Sequence, residues 1–349
     1  MHMETIVVTW NEKDLIVEAL RKGKVVAFPT ETVYGLGVIS SSPKAYEALR
    51  EAKNRPAEKP ISLMCSSITQ AIMHCEIDVG VLGVMQKLLP GEMTLLLRSR
   101  KGIKRHIDLG TGTTGVRIPD SDDVREMIEA VGMPLLVTSA NLSGEPVCED
   151  FEEVKRVFDG RIDVIVKGEC RSNMPSTIVD FTKGEPVLVR QGSLSFDEVK
   201  SIHGASKMSV ALGADHGGLA YKKAIKRHLA ERGFLVHDYG TKSKASCDYP
   251  IFAKAAAEAV AAGKEDLGIL VCTSGEGIAI AANKVPGVRC GIGYDDVATG
   301  KTREHNNANM VAFGQAYMKK KDVLRRVDIF LCETFSPLEK HHRRVNEIE

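Results

Sequence analysis

From Met208 onward, strand-length apolar runs alternate with amphipathic segments so regularly that few folds can hold the chain. The pattern predicts strands over 208–214, 234–239, 267–272, 288–293 and 310–314. Helices are expected between them over 219–232, 251–262, 278–284 and 295–303, with helical sequence continuing to the end. A strand–helix–strand crossover brings the chain back in the direction it left, so each strand runs parallel to its predecessor, and right-handed crossovers place helices on both faces. The consequence is a doubly wound parallel sheet, whose ligands belong at the carboxyl ends of the strands.

The sequence upstream is also α/β but less regular. An amphipathic stretch from Asp14 to Lys22 leads into Val25-Val26-Ala27-Phe28-Pro29 and a turn-rich run, with Gly and Pro dispersed thereafter. This half is expected to be a mixed, twisted sheet with helices. Between the halves, Ser201 to Lys207 is small and polar, which suits a linker. Two domains, 1–204 and 207–349, are therefore expected from a chain of 349 residues.

Charge narrows the function. With 47 Lys+Arg against 46 Asp+Glu the chain is balanced, but residues 1–206 carry 25 basic and 29 acidic groups and residues 207–349 carry 22 and 17. The basic surplus sits in the second half, where it suits phosphate ligands or a solvated face. A stacking platform for single-stranded nucleic acid needs more rings than aromatics at 5% and one tryptophan, Trp10, supply. No apolar run approaches the roughly 20 residues that span a bilayer, and the N-terminus has no basic segment followed by an apolar one, so a cytoplasmic protein without membrane contact is expected. Eight cysteines without any C-x-x-C spacing argue against a disulfide scaffold and a zinc site. No metal site is expected, and a cysteine that matters should act as a thiol.

Cys272 ends a predicted strand and is followed by Thr273-Ser274-Gly275-Glu276-Gly277, which opens a helix. A thiol there stands beside free backbone N–H groups, the arrangement that stabilises an oxyanion. A buried core cysteine before an ordinary turn explains the same spacing equally well. Asp215 and His216 at the tip of the first strand, His305 with Asn306, and the run Lys340 to Arg344 tip the balance. Together they supply an anion cradle, a ring-opening acid/base and a proton-abstracting thiol for one pocket, which is the equipment of an aldose–ketose isomerase.

The runs ALGADHGG (211–218), DYP (248–250), CTSGEGIAIAANKVPGVR (272–289) and EHNNANMVAFG (304–314) resemble ribose-5-phosphate isomerase type B, a family that includes galactose-6-phosphate isomerase subunits. The resemblance implies that Cys272 shuttles the proton, that Ser274 with the N–H groups around Gly275 and Gly277 holds the enediolate, and that Asp215 binds sugar hydroxyls. It also implies that His305 opens the ring and that His216, Lys340 and Arg344 contact phosphate, without a cofactor. Sites in this family form at a dimer interface, so a homodimer or larger assembly is expected and His305 and Asn306 would serve the neighbouring subunit. Three positions depart from the pattern: Ile278 replaces the glutamate base of some members, Lys340 a usual arginine, and Gln315-Ala316 an often-found arginine.

In the first half, PTETVYGLG (29–37), KNRPAEKP (53–60), GTTGVRIP (112–119), TSANLSGEP (138–146), PSTIVDF (175–181) and Arg190-Gln191-Gly192 resemble the YrdC-like threonylcarbamoyl-adenylate synthases. That family activates L-threonine with bicarbonate and ATP for tRNA modification. The resemblance implies that Lys53, Arg55, Lys59, Thr113, Asn141 and Arg190 contact ATP, with Mg²⁺ accompanying it. Thr32, Arg117, Ser139 and Ser176 would hold threonine, and the product would pass to a tRNA threonylcarbamoyl transferase. Met64 stands where some members place a polar threonine contact.

Two other readings compete. The first half could be an RNA-binding module without catalysis, which its excess of acidic residues disfavours. The second half could isomerise another phosphorylated aldose such as galactose 6-phosphate, since pocket size is not written in sequence.

Overall fold

A computed structural model describes residues 4–172, 174–336 and 338–349. Two compact units emerge, one from residues up to 77 with 87–204, the other from 78–86 with 205–349.

The first unit is built on a ten-stranded mixed sheet among the described residues. Its elements are β1 (Ile6–Val8), α1 (Lys13–Arg21), β2 (Val26–Phe28), β3 (Gly35–Ile39), α2 (Pro43–Lys53), β4 (Ser62–Met64) and α3 (Ile68–Ile72). After α4 (Val79–Leu88), most of which groups with the second unit, come β5 (Met93–Arg98), α5 (Arg105–Asp108), β6 (Thr113–Arg117), α6 (Asp122–Val131) and β7 (Leu135–Ser139). The remainder is α7 (Phe151–Phe158), β8 (Val164–Val166), β9 (Thr177–Asp180), β10 (Val187–Arg190) and α8 (Phe196–Ala205). Spatially the strands run β1-β8-β2-β3-β7-β4-β6-β5-β9-β10, and both parallel and antiparallel pairs occur, for example β4 with β6 and β5 with β6.

Local chemistry aims the chain at the middle of this sheet. Helix α2 starts where Ser42 Oγ accepts from the Ala45 N–H and Pro43 takes a first-turn position that needs no amide hydrogen. It stops at Asn54, whose φ of 51° is left-handed, so the chain reverses direction immediately before Arg55. In β6, Thr114 and Val116 are buried on one face, which leaves Thr113, Gly115 and Arg117 on the other. Gly115 gives Ser62 on β4 room beside it, since a Cβ there would lie 2.8 Å from Ser62 Oγ.

The second unit contains β11 (Ser209–Ala214), α9 (Leu219–Ala230), β12 (Leu235–Asp238), α10 (Tyr249–Ala261), β13 (Leu267–Cys272) and α11 (Glu276–Ala282). It continues through β14 (Cys290–Ile292), α12 (Asp296–Asn306), β15 (Met310–Gly314), α13 (Lys320–Cys332) and α14 (Glu339–Asn346). All five strands are parallel in the order β12-β11-β13-β15-β14, the doubly wound sheet that the alternation dictates. Each of Ile269, Leu270 and Val271 on central β13 is wholly buried, worth about 1.5–3 kcal/mol apiece. Helix α10 packs on one face through Ala253, Ala256 and Ala257, all at 0% exposure. From β11 the chain goes to β12 on one side and later to β13 on the other, and the crevice outside β11 and β13 is the switch point where such sheets bind ligands.

Candidate active sites

In the first unit, a cavity of about 250 Å³ opens over the middle of the sheet. Arg117 at the end of β6, Ser139 at the end of β7, Ser176 before β9, Arg190 at the end of β10 and Arg55 after α2 all line it. No carboxylate lines it, so three guanidinium groups face one recess. The arrangement suits an anionic ligand.

Each arginine is held from behind. Arg117 Nη2 donates to Glu31 Oε1 at 2.7 Å and to Thr32 Oγ1 at 2.6 Å. Arg190 donates through Nε and Nη2 to the Ser176 carbonyl at 3.1 and 2.7 Å, and Nη2 reaches Ser176 Oγ at 3.3 Å. Burial, and then the charge of Arg117, lower the pKa of Arg190, so the two cations sense one another. Arg55 donates to the carbonyls of Lys59 at 3.2 Å and Pro60 at 2.6 Å, which closes the loop after α2. Ser176 Oγ also shares a 2.9 Å hydrogen bond with Thr94.

Other residues expected at this site lie differently. Lys53 is 2% exposed, and its Nζ donates to the Ser139 carbonyl, to the Asn141 carbonyl at 2.7 Å and to Asn141 Oδ1 at 2.6 Å. Burial, and then Arg55, lower its pKa to about 7. With three acceptors for three donors, Lys53 ties the 139–141 turn in place and has none left for a phosphate. Asn141 is equally committed, accepting from Ser139 Oγ at 2.7 Å and donating to Leu142 and Glu145 carbonyls. Thr113 opens β6, roughly 13 Å along the strand from Arg117, and does not line the cavity. Lys59 is exposed and outside it. Thr32 is buried and serves Arg117, while Met64 does line the recess.

Glu31 lies inside the 29–37 motif, where nothing in the sequence alone assigns it a task. Its carboxylate is 2% exposed, it anchors Arg117, and its Oε2 has no hydrogen-bond partner; neither has Arg117 Nε. The glutamate between two threonines carried no periodic signal, because it lies in a loop.

In the second unit, parallel pairing of Ala214 with Val271 sets Asp215 beside Cys272 at the carboxyl edge, at the switch point. Cys272 is 4% exposed, and its Sγ accepts from the Gly275 N–H at 3.1 Å. Gly275 has a φ of 89°, so the turn that brings this N–H back over the thiol requires glycine. Asp215 Oδ1 accepts from the Gly218 N–H at 3.0 Å, leaving Oδ2 4.0 Å from His216 Nδ1. The Cys247 N–H donates to that same Nδ1 at 3.2 Å, which leaves the proton on Nε2. Tyr249 lies against Gly277, where a Cβ would come within 2.7 Å of the ring. Ser274 sits within the turn, its Oγ accepting from the Glu276 N–H at 3.3 Å.

The remaining expected residues collect elsewhere. A crossover helix runs antiparallel to its strands, so His305 and Asn306, at the last turn of α12, lie at the amino edge of the sheet. That is about 16 Å along α12 from its start at the carboxyl edge. His305 stacks on His341 of α14, ring centroids 4.2 Å apart and planes 14° from parallel, with Lys340 and Arg344 exposed on the same helix. Within one chain these groups stand at the edge of the sheet opposite Cys272.

Among the described residues, no helix is long and apolar enough to cross a membrane.

Comparison with known proteins places both halves. Residues 18–192 match the model of the Sua5, YciO and YrdC family, described as telomere recombination, and residues 210–348 match the model described as ribose/galactose isomerase. A threonylcarbamoyl-AMP synthase of Pyrococcus abyssi (strain GE5 / Orsay) is 33% identical over 64% of this chain and 67% of its own. The crystal structure of Escherichia coli YciO is 28% identical over 55% of this chain and 96% of its own, with a TM-score of 0.50. Ribose-5-phosphate isomerase B of Clostridium thermocellum is 41% identical over 40% of this chain and 95% of its own, with a TM-score of 0.40. The chain spans about half the length, 54%, of a second matching synthase, from Bacillus subtilis (strain 168). Over residues 18–192 the chain belongs to the Sua5, YciO and YrdC family, and over residues 210–348 it carries a ribose/galactose isomerase domain.

Proposed function

We propose that the chain is bifunctional. The first unit makes threonylcarbamoyl-AMP from L-threonine, bicarbonate and ATP. The observation that carries this is the convergence of Arg55, Arg117 and Arg190 on one cavity without a carboxylate in its lining. Arg117, fixed by Glu31 and Thr32, holds the amino-acid carboxylate while the freed amine attacks bicarbonate, giving a carbamate and water. The carbamate oxygen then attacks the α-phosphorus and pyrophosphate leaves, its charge offset by Arg55 and Arg190. Among the described residues no His, Cys, Asp and Glu group could hold a metal ion, so Mg²⁺ would ride on the phosphates of ATP. The adenylate would pass to a transferase acting on tRNA.

The second unit interconverts a phosphorylated aldose and ketose. Cys272 removes the proton next to the carbonyl, the Gly275 and Gly277 turn with Ser274 holds the enediolate oxygen, and the proton returns to the adjacent carbon. Asp215 receives hydroxyls and His216 presents Nε2–H to the phosphate. The opposite placement of Cys272 and His305 favours a homodimer in which His305, Asn306, Lys340 and Arg344 complete the partner's site. The test is to incubate the full chain with ATP, L-threonine and bicarbonate, and separately with ribose 5-phosphate and galactose 6-phosphate. Pyrophosphate release that requires all three components, and conversion of one sugar phosphate to its ketose, are the expected results. ATP turnover without threonine, or no ketose from either sugar, would remove the corresponding half.

A further inference from the structure

A second recess, of about 350 Å³, lies at the opposite edge of the first unit's sheet from the Arg117 cavity and shares no lining residue with it. The strands themselves set the two apart. Gly35 at the start of β3 lines the Arg117 cavity, whereas Ser40, just past the end of β3, lines the recess, and Gly35 to Ile39 spans about 13 Å. In the same way Ser139 at the end of β7 lines the cavity and Met133, before β7 starts, lines the recess.

The lining divides into two chemistries. Arg100, Lys101 and Lys104 come from the loop after β5, His74 follows α3, and no carboxylate stands among the lining residues. Arg100 Nε donates to the Cys75 carbonyl at 3.1 Å and Lys104 Nζ to the Ser41 carbonyl at 2.7 Å, which anchors both side chains. Lys101 is exposed and has no ion-pair partner among the described residues. His74 is half-buried; neither ring nitrogen has a hydrogen-bond partner among the described residues, and neither is sealed from solvent. Burial, and then the charge of Arg100, lower its pKa, so at neutral pH the ring is an uncharged donor among cations. Positive charge gathered without a counter-charge, beside a free imidazole, is matched by an anion. The other wall is apolar: Met73, Ile103, Ile107 and Met133, of which Met73 is left 40% exposed.

We propose that this recess binds an aliphatic organic anion, a carboxylate or phosphate head on a short hydrocarbon chain. The head sits among Lys101, Lys104 and the His74 ring, Arg100 adds charge beside it, and the chain lies along Met73, Ile103, Ile107 and Met133. A sugar or nucleoside body would set unpaired hydroxyl groups against those four side chains. Methionine thioethers adapt to chains of different length. The site is independent of both proposed activities, and its test reads binding and not turnover.

Calorimetry on the full chain with hexanoate, hexyl phosphate, hexan-1-ol and hexylamine tests it. One or both anions should bind saturably, the tighter of the two identifying the head. Hexan-1-ol should bind at least about tenfold more weakly and hexylamine not at all. The matching head without its chain, acetate or inorganic phosphate, should also bind more weakly. Lys101→Glu reverses the charge of an exposed side chain and should weaken anion binding about tenfold. His74→Phe, which keeps a ring and removes both nitrogens, should weaken it as well, and Arg117→Ala should not. No saturable binding of either anion would overturn the proposal. So would binding of the alcohol or the bare head as tight as that of the anion, unchanged binding in Lys101→Glu or His74→Phe, or loss of binding in Arg117→Ala.

Discussion

Arg117 and Glu31 form an ion pair that is almost closed to solvent, with side-chain exposures of 11% and 2% and a separation of 2.7 Å. A pair so placed stabilises little by itself, but removing one partner leaves the other charged and buried. Glu31→Ala is therefore expected to destabilise the first unit by about 3–5 kcal/mol in urea unfolding. Glu31→Gln, which keeps an acceptor for Arg117, should cost clearly less. Equal losses in the two variants would show that the pairing of charge is not what matters at this position.

Lys53 and Arg55 are two residues apart and should fail in different ways. Lys53→Ala removes the ammonium that ties Ser139 to Asn141, so both the thermal midpoint and threonine-dependent pyrophosphate release should fall. Arg55→Ala should leave the midpoint nearly unchanged and abolish pyrophosphate release. A Lys53→Ala protein as stable as the parent would return that lysine to the phosphate-binding role expected from its motif.

For the isomerase, Cys272→Ser should slow ketose formation 10²–10⁴-fold at saturating sugar phosphate, the usual cost of a lost general base. Glu276→Gln should have little effect, since Glu276 is exposed on the first turn of α11 and the family's glutamate position is taken by Ile278, which is wholly buried. If the glutamate variant is the inactive one, Cys272 is a core residue.

Because Cys272 and His305 occupy opposite edges of the sheet, two dead variants should rescue one another. Equal amounts of Cys272→Ser and His305→Ala, unfolded and refolded together, should recover about a quarter of the parent activity, from hybrid dimers that each keep one intact site. Activity that stays at the level of the separate variants would mean that both residues serve a site within one chain.

Protonation should loosen α14. Burial, then His305, Lys340 and Arg344, lower the pKa of His341 from its ordinary 6.5, with Glu304 opposing them. The folded state thus binds fewer protons than the unfolded one, so the stabilisation is complete above about pH 6.5 and is lost as pH falls below it. Hydrogen exchange over 339–346 should be faster at pH 5.5 than at pH 8 after correction for intrinsic rates, and His341→Phe, which retains the ring, should remove the difference. A pH dependence that survives in His341→Phe belongs to another group.

The second unit was largely legible because each strand is a continuous apolar run between amphipathic helices. Its boundaries moved where backbone chemistry outweighed periodicity: α11 begins at Glu276 and not 278, since the left-handed Gly275 starts the helix as soon as the turn closes. The first unit has strands of three to six residues, too short to display a period, so its mixed character could be expected but not its strand order. Arg117, Ser139, Ser176, Arg190 and Arg55 were foreseeable from motifs and do meet. The inward commitment of Lys53 was not, because no spacing reveals that three acceptors wait around an ammonium. Nor does any local pattern signal that residues 78–86 group with the second unit.

The alanines of α10 make tolerance to substitution in the second unit one-directional. Ala253, Ala256 and Ala257 fill the space between that helix and the sheet that carries Cys272, and alanine has almost no volume left to lose. Drift at these positions can therefore only add atoms, and each added methylene has to lift the helix or displace the thiol's neighbours. Spontaneous variation in this layer should register first as a misaimed Cys272 and a slower reaction, before the domain ceases to fold.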